Sequence, residues 1–292
     1  MGPIARVRRT LATTLRSRVA GEDADAMAHR IWGSDEPRWF TPDDPIWRVH
    51  ADASMFVGGI RALLLQSLQP QAMAGVTGHS GYRSDPWGRL NRTSNFIALT
   101  TFGPIHEAEA VIEHVNEIHA RVRGKDDRGV PYRANDPHLL EWVHVAEAAS
   151  FLECYQRFGP QRLSDVEADR YVAQTSVVAG LLGVQDPPMS VAALHARLED
   201  YRPELRATDG ARDAAAFLLH EPPLPPPALP GYGMLAGGAL GTLPGWVREE
   251  LGIRHHKALD ATVLRPMGHA AAAIVRWAMS DPAIASERRS HR

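Results

Sequence analysis

The chain has a single cysteine, Cys154, among 292 residues. One thiol cannot close an intramolecular disulfide, and it excludes any cysteine-rich zinc or iron–sulfur centre. No Cys-x-x-Cys-His run is present, so the usual covalent attachment of a haem is excluded as well. A dominant charge is also missing: 32 Lys and Arg face 34 Asp and Glu, for a formal net charge of −2. Basic stripes with interleaved aromatics are absent, so no nucleic-acid partner is expected. No apolar run approaches the roughly 20 residues needed to span a bilayer. Gly-x-Ser-x-Gly does not occur, which leaves a hydrolase elbow unsupported. The six glycines at 231, 233, 237, 238, 241 and 245 have no strand before them and no Lys-Ser/Thr after them, so they are not a phosphate loop.

What is present is an ordinary globular composition, 44% hydrophobic and 23% charged, ample for a sizeable core. Nearly every periodic segment is helical. Within Ala51 to Gln69 a helix opens after Asp52, a cap candidate, and lines up Phe56, Ile60, Leu63, Leu64 and Leu68. Pro70 breaks that pattern, and a short helix is expected over 71–75. Residues 78–88 read as a loop, 89–101 as a helix, and 104–123 as another. Residues 124–131 read as a charged turn. Asp136-Pro137 opens a helix to about Phe158, and Ser164-Asp165-Val166-Glu167 is a capping-box signature. Further helices are expected from about Val191, over 209–219, over 246–252 and over 258–279. The proline-dense stretch 221–230 reads as an extended strap, and the glycines after it as a loop or a closely packed helix. No alternating strand pattern stands out, so the expected fold is all-α.

At the N-terminus, Arg6, Arg8 and Arg9 precede Thr10-Leu11-Ala12. The paired arginines suggest a twin-arginine export signal, but Arg16 and Arg18 interrupt the segment that would have to be apolar. The expectation is a cytoplasmic protein. Its basic amphipathic first helix then rests on the rest of the fold or weakly on a membrane surface.

Chemistry concentrates in two places. Gly88-Arg89-Leu90-Asn91-Arg92-Thr93 sets two arginines and a hydroxyl close together, with Arg89 and Thr93 four apart on one helix side. Downstream, Val111, Val115, His119 and Val122 are spaced four, four and three, which puts His119 on an apolar stripe. An imidazole facing a core can supply an axial nitrogen to a porphyrin iron, and nearby cations can meet its propionates or bound oxygen. His144 sits on the apolar side of the next helix. It fits an opposing axial ligand, a supporting group or a hydrogen-bonded core residue. Equally, His119 can be a core histidine, Arg89 and Arg92 surface residues, and Thr93 a cap for a helical carbonyl. His50 with Asp52, and His255 with His256, invite a metal reading, but Asp52 serves as a cap and adjacent histidines diverge on a helix. Cys154 reads as a small buried apolar residue.

Taken in order, certain segments resemble the family that joins latex-clearing rubber oxygenases to the MpaB-type oxygenases. They are His50-Ala51-Asp52, Gly58-Gly59-Ile60-Arg61-Ala62-Leu63-Leu64-Leu65-Gln66, Gly88 to Thr93, His119 with Val122 and Gly124, Asp136-Pro137, and Trp142-Val143-His144. The resemblance runs from about Trp47 to Met279. It implies a basic helical extension over 1–46 and one oxygenase-like domain over 47–292, a single all-α unit with a globin-like core around a non-covalent haem b. It implies His119 as proximal iron ligand, Arg89 and Thr93 beside the pocket, and Arg92 where the rubber oxygenases carry a distal lysine. A lysine can lose its proton and bind iron, whereas an arginine practically cannot, so rubber cleavage does not follow from the resemblance. The implied activity is oxidation of an apolar small molecule with dioxygen. The alternatives are a haem-free helical binding protein for a lipid or metabolite, and a bis-histidine electron-transfer protein built on His119 and His144.

Overall fold

Residues 2–21 and 24–280 are described by the computed structural model. In chain order the helices are α1 (Pro3–Ala20), α2 (Ala24–Trp32), α3 (Pro45–His50), α4 (Ser54–Gln66), α5 (Pro70–His79), α6 (Pro86–Phe102) and α7 (Ile105–Arg121). A hairpin of β1 (Arg123–Lys125) and β2 (Pro131–Arg133) follows. Next come α8 (Pro137–Phe158), α9 (Asp165–Leu182), α10 (Val191–Tyr201), α11 (Asp209–His220), α12 (Leu229–Thr242) and α13 (Gly245–Glu250). The last helical stretch is α14 (Lys257–Leu259), a π turn (Asp260–Leu264) and α15 (Arg265–Met279). The fold is all-α, and no described helix is long and apolar enough to cross a membrane.

Local chemistry explains most of these boundaries. The Asp136 carboxylate accepts from His138 N, the Ser190 side chain accepts from Ala193 N, and Ser164 with Glu167 forms a reciprocal capping box. Gln69 caps α5 through Ala72 N, so that helix runs to His79, well past the short segment expected after Pro70. Pro266 has no N–H for the turn before it, and the π turn at 260–264 sits where that bond is missing.

The centre is α4 laid along α8. Val57, Leu64, Leu65 and Leu68 meet Trp142 and Ala146, and Trp142 Nε1 donates to Gln66 O at 3.1 Å. Gly58 permits this approach, since a Cβ there would stand 2.8 Å from the Phe151 ring. A second cluster joins α3, α8 and α9 through Ile46, Val49, Phe151, Tyr155, Tyr171 and Val172. Where the sequence left a choice between loop and helix, α12 is a helix, and it packs on α15 through glycines. A Cβ on Gly238 would lie 2.6 Å from Gly268 Cα. The expected extended strap ends in a short 3₁₀ turn at Pro226–Ala228, and Leu229 and Pro230 already belong to α12.

Two further expectations change. The charged turn at 124–131 is closed by a hairpin in the register Arg123↔Arg133, Gly124↔Tyr132, Lys125↔Pro131. Strands of three residues are too short to display alternation, which is why the pattern was silent. On α7 the sealed residues are Ala108 and Ile112, while Val111, Val115, His119 and Val122 are half-buried. The stripe predicted to face a core is therefore only partly covered.

Candidate functional site

Helices α6 and α7 pack on one another. Their other close contacts run from α6 to α1, α2 and α3 and from α7 to α9, and neither lies tightly along α8. On α8, His144 and Glu147 are half-buried and three residues apart, so they share one side of the helix.

His119 is carried by the last turn of α7. Its Nδ1 is sealed from solvent with no hydrogen-bond partner, and burial lowers its pKa. The neighbours Asn116 and Glu117 do not serve it: Asn116 Nδ2 donates to Leu181 O at 3.0 Å on α9, and Glu117 is exposed. His144 repeats the situation on α8, with Nε2 sealed and unpaired and a pKa pushed down to about 4 by burial. Both rings are thus neutral near pH 7, the form in which imidazole binds metal. A buried polar atom left unsatisfied costs about 1–3 kcal/mol, so a water or a ligand that reached either nitrogen would be held there.

Glu147 follows His144 by one turn. Burial raises its carboxyl to about 7. Across from it on α9, burial and the Glu147 charge push the Tyr171 phenol well above its ordinary range. Below them His50 is fully engaged. Its Nδ1 pairs with Thr101 Oγ1 at 2.8 Å, its Nε2 lies 3.4 Å from Tyr171 OH, and its ring meets Phe151 edge-on at 5.6 Å. Burial takes its pKa down to about 3. Asp52, its neighbour in sequence, turns elsewhere: it accepts from Ser54 N at 2.9 Å and holds Arg276 through both oxygens at 2.8 and 2.9 Å.

The α6 cluster divides. Arg89 is half-buried and donates to Ser80 Oγ at 3.3 Å; burial and the nearby Arg92 charge lower its pKa. Among the described residues no carboxylate forms an ion pair with it. Arg92 points away, its side chain 64% exposed and its Nη1 3.2 Å from Asp85 Oδ2, the carboxylate that caps α6. Thr93 is exposed, one turn beyond Arg89. At the other end of the molecule His255 Nε2 lies 3.0 Å from Asp260, which is held by buried Arg248 at 2.6 Å. The described residues contain no group of three His, Cys, Asp or Glu arranged for a metal ion. Cys154 is buried and its thiol is raised to about 12, so it is inert.

Sequence reasoning missed Glu147 and Tyr171. A charged residue three positions after His144, on the same apolar side of α8, was the available signal for Glu147. Nothing local distinguished Tyr171.

Among the described residues the body thus carries two neutral imidazoles, each with one sealed and unpaired nitrogen, and an arginine without a carboxylate partner. Compared with known families, residues 47–277 match the one described as ER-bound oxygenase mpaB/B'/Rubber oxygenase, catalytic domain. The chain belongs to that family of oxygenase catalytic domains. No curated protein and no solved structure matches it.

Proposed function

We propose that the protein is a haem-b-dependent oxygenase acting with dioxygen on an apolar small molecule, with His119 as the iron ligand. The observation that carries this reading is the sealed, unpaired Nδ1 of His119 on the last turn of α7. Bound there without a covalent link, the haem would supply the oxygen chemistry. The chain's own residues have separable tasks. His119 offers a neutral ring, kept so by desolvation. Arg89 offers a cation with no carboxylate partner among the described residues, suited to a propionate or to negative charge developing on oxygen. Thr93 adds a hydroxyl on the same side of α6. Arg92 starts from an exposed pair with Asp85, which holds weakly and releases readily. Glu147 keeps its proton up to about pH 7 and yields it just above, the property of a proton donor or acceptor at working pH. A cytoplasmic location belongs to the same proposal.

Protein isolated from haem-replete cells should contain stoichiometric iron and show a Soret band. His119→Ala should abolish that band while leaving the helical circular dichroism intact. An unchanged band in the variant removes His119 as ligand. A native protein without iron, even with haem supplied, favours a haem-free binding protein.

A second reading rests on His144, whose Nε2 is also sealed and unpaired. Two axial imidazoles would make a closed six-coordinate iron suited to electron transfer. A low-spin spectrum that turns high-spin in His144→Ala supports this reading; a high-spin native protein refutes it.

A further inference from the structure

Helix α15 is inverted relative to an ordinary surface helix. Its arginines point inward: Arg265 Nε donates to Gly241 O at 2.9 Å, and Arg276 binds Asp52 and donates to Phe158 O at 2.9 Å. Its outward stripe is Val263, Pro266, Ala270, Ala273, Ile274 and Trp277, in helical spacing from the π turn onward. Val263, Ile274 and Trp277 are 42%, 47% and 39% exposed. No exposed residue from 261 to 279 is Asp, Glu, Lys or Arg. A helix facing only water carries its charges on this side.

The basic first helix sits beside the stripe. Arg8 donates to Trp277 O and to Ser280 Oγ, both at 2.9 Å, and its guanidinium lies 5.5 Å from the Trp277 ring centroid. This contact brings exposed Arg6, Val7 and Arg9, with Leu11 a turn further on, next to the end of α15. Helices α1, α12 and α15 contain no Asp or Glu at all, and Asp260 in the π turn is buried against Arg248. The described residues of these helices therefore present apolar and cationic groups with no exposed carboxylate.

We propose that this face, the outer stripe of α15 flanked by Arg6 and Arg9 of α1, docks on a bilayer containing anionic phospholipid. Charge decides the occupant. A second copy of the chain would set arginine against arginine with no acidic partner, whereas an anionic membrane supplies negative charge at its surface and apolar depth beneath. Trp277, held by Arg8 at the rim, sits where indole rings favour the membrane–water interface.

The test is co-sedimentation of the full chain with phosphatidylcholine vesicles, with and without phosphatidylglycerol. Binding should require phosphatidylglycerol and weaken at high salt. Ile274→Glu and Ala270→Glu lie on the exposed face, so both should keep the native circular dichroism. Each should weaken binding about tenfold or more, because a charge replaces buried apolar surface. Arg6→Gln and Arg9→Gln should each cost about fivefold, the equivalent of about 1 kcal/mol per surface cation. Equal binding to both vesicle types, or undiminished binding by Ile274→Glu, overturns the proposal. So does a dimer in sedimentation velocity that Ile274→Glu dissociates while the native chain ignores vesicles, which would make the face a contact between copies.

Discussion

Glutamine at position 147 should remove a pH dependence that the native chain carries. The Glu147 carboxyl titrates near 4.5 when free and at about 7 in the fold, because burial disfavours its charged form. Between those values the folded state binds more protons than the unfolded state. Stability therefore falls as pH rises through that window, and the whole penalty is present above about 7. Each unit of pKa displacement is worth about 1.4 kcal/mol, so the penalty is at most about 3 kcal/mol. Glutamine has the same shape and never ionises. Thermal unfolding followed by circular dichroism, for both proteins across a pH series, reads the difference. The two should coincide below the free-carboxyl value and separate as pH rises. In alkaline buffer Glu147→Gln should melt about 5 °C higher, at about 2 °C per kcal/mol for a chain of this size. Parallel melting curves across the series would mean that Glu147 is solvated or paired. Its assignment as a carboxyl whose charge is disfavoured by burial would then be wrong.

Acid should act with the opposite sign through the histidines. His50, His144 and His119 are held neutral by burial, the first two with values of about 3 and about 4. The unfolded chain takes up protons below the ordinary 6.5 while the folded one does not, so stability is lost as pH falls from there. The loss is about 3 kcal/mol at most for His50 and for His144 by pH 4, measurable as a falling urea midpoint. Gly238→Ala puts a methyl against Gly268 Cα and should cost about 1–3 kcal/mol in urea unfolding. Gly231→Ala, with open space around it, should be neutral or slightly stabilising in the same assay. Asp260→Ala strands the buried Arg248 guanidinium and should cost about 3–5 kcal/mol, more than replacing both partners with apolar residues.

The sequence by itself determined the helices, because their causes are local. Apolar spacing marks α4 and α8, and the caps at Asp136, Ser164 and Ser190 set three of the starts within a residue. It also singled out His119 and His144, since an imidazole on an apolar stripe is visible in spacing alone, and Arg89, Arg92 and Thr93 as a cluster, of which Arg92 and Thr93 are exposed. Only the tertiary structure decided which of these groups has a partner. His50 and His144 look alike in sequence, yet Thr101 and Tyr171, 51 and 121 residues away, satisfy His50, while among the described residues no group reaches His144 Nε2. Arg89 and Arg92 differ because Asp85 takes one and leaves the other. The short hairpin and the helical state of α12 likewise come from contacts across the chain, where Tyr132 is buried and Gly238 meets Gly268. Hydrogen-bond satisfaction and burial are properties of neighbours brought together by folding, and spacing along one helix carries no record of them.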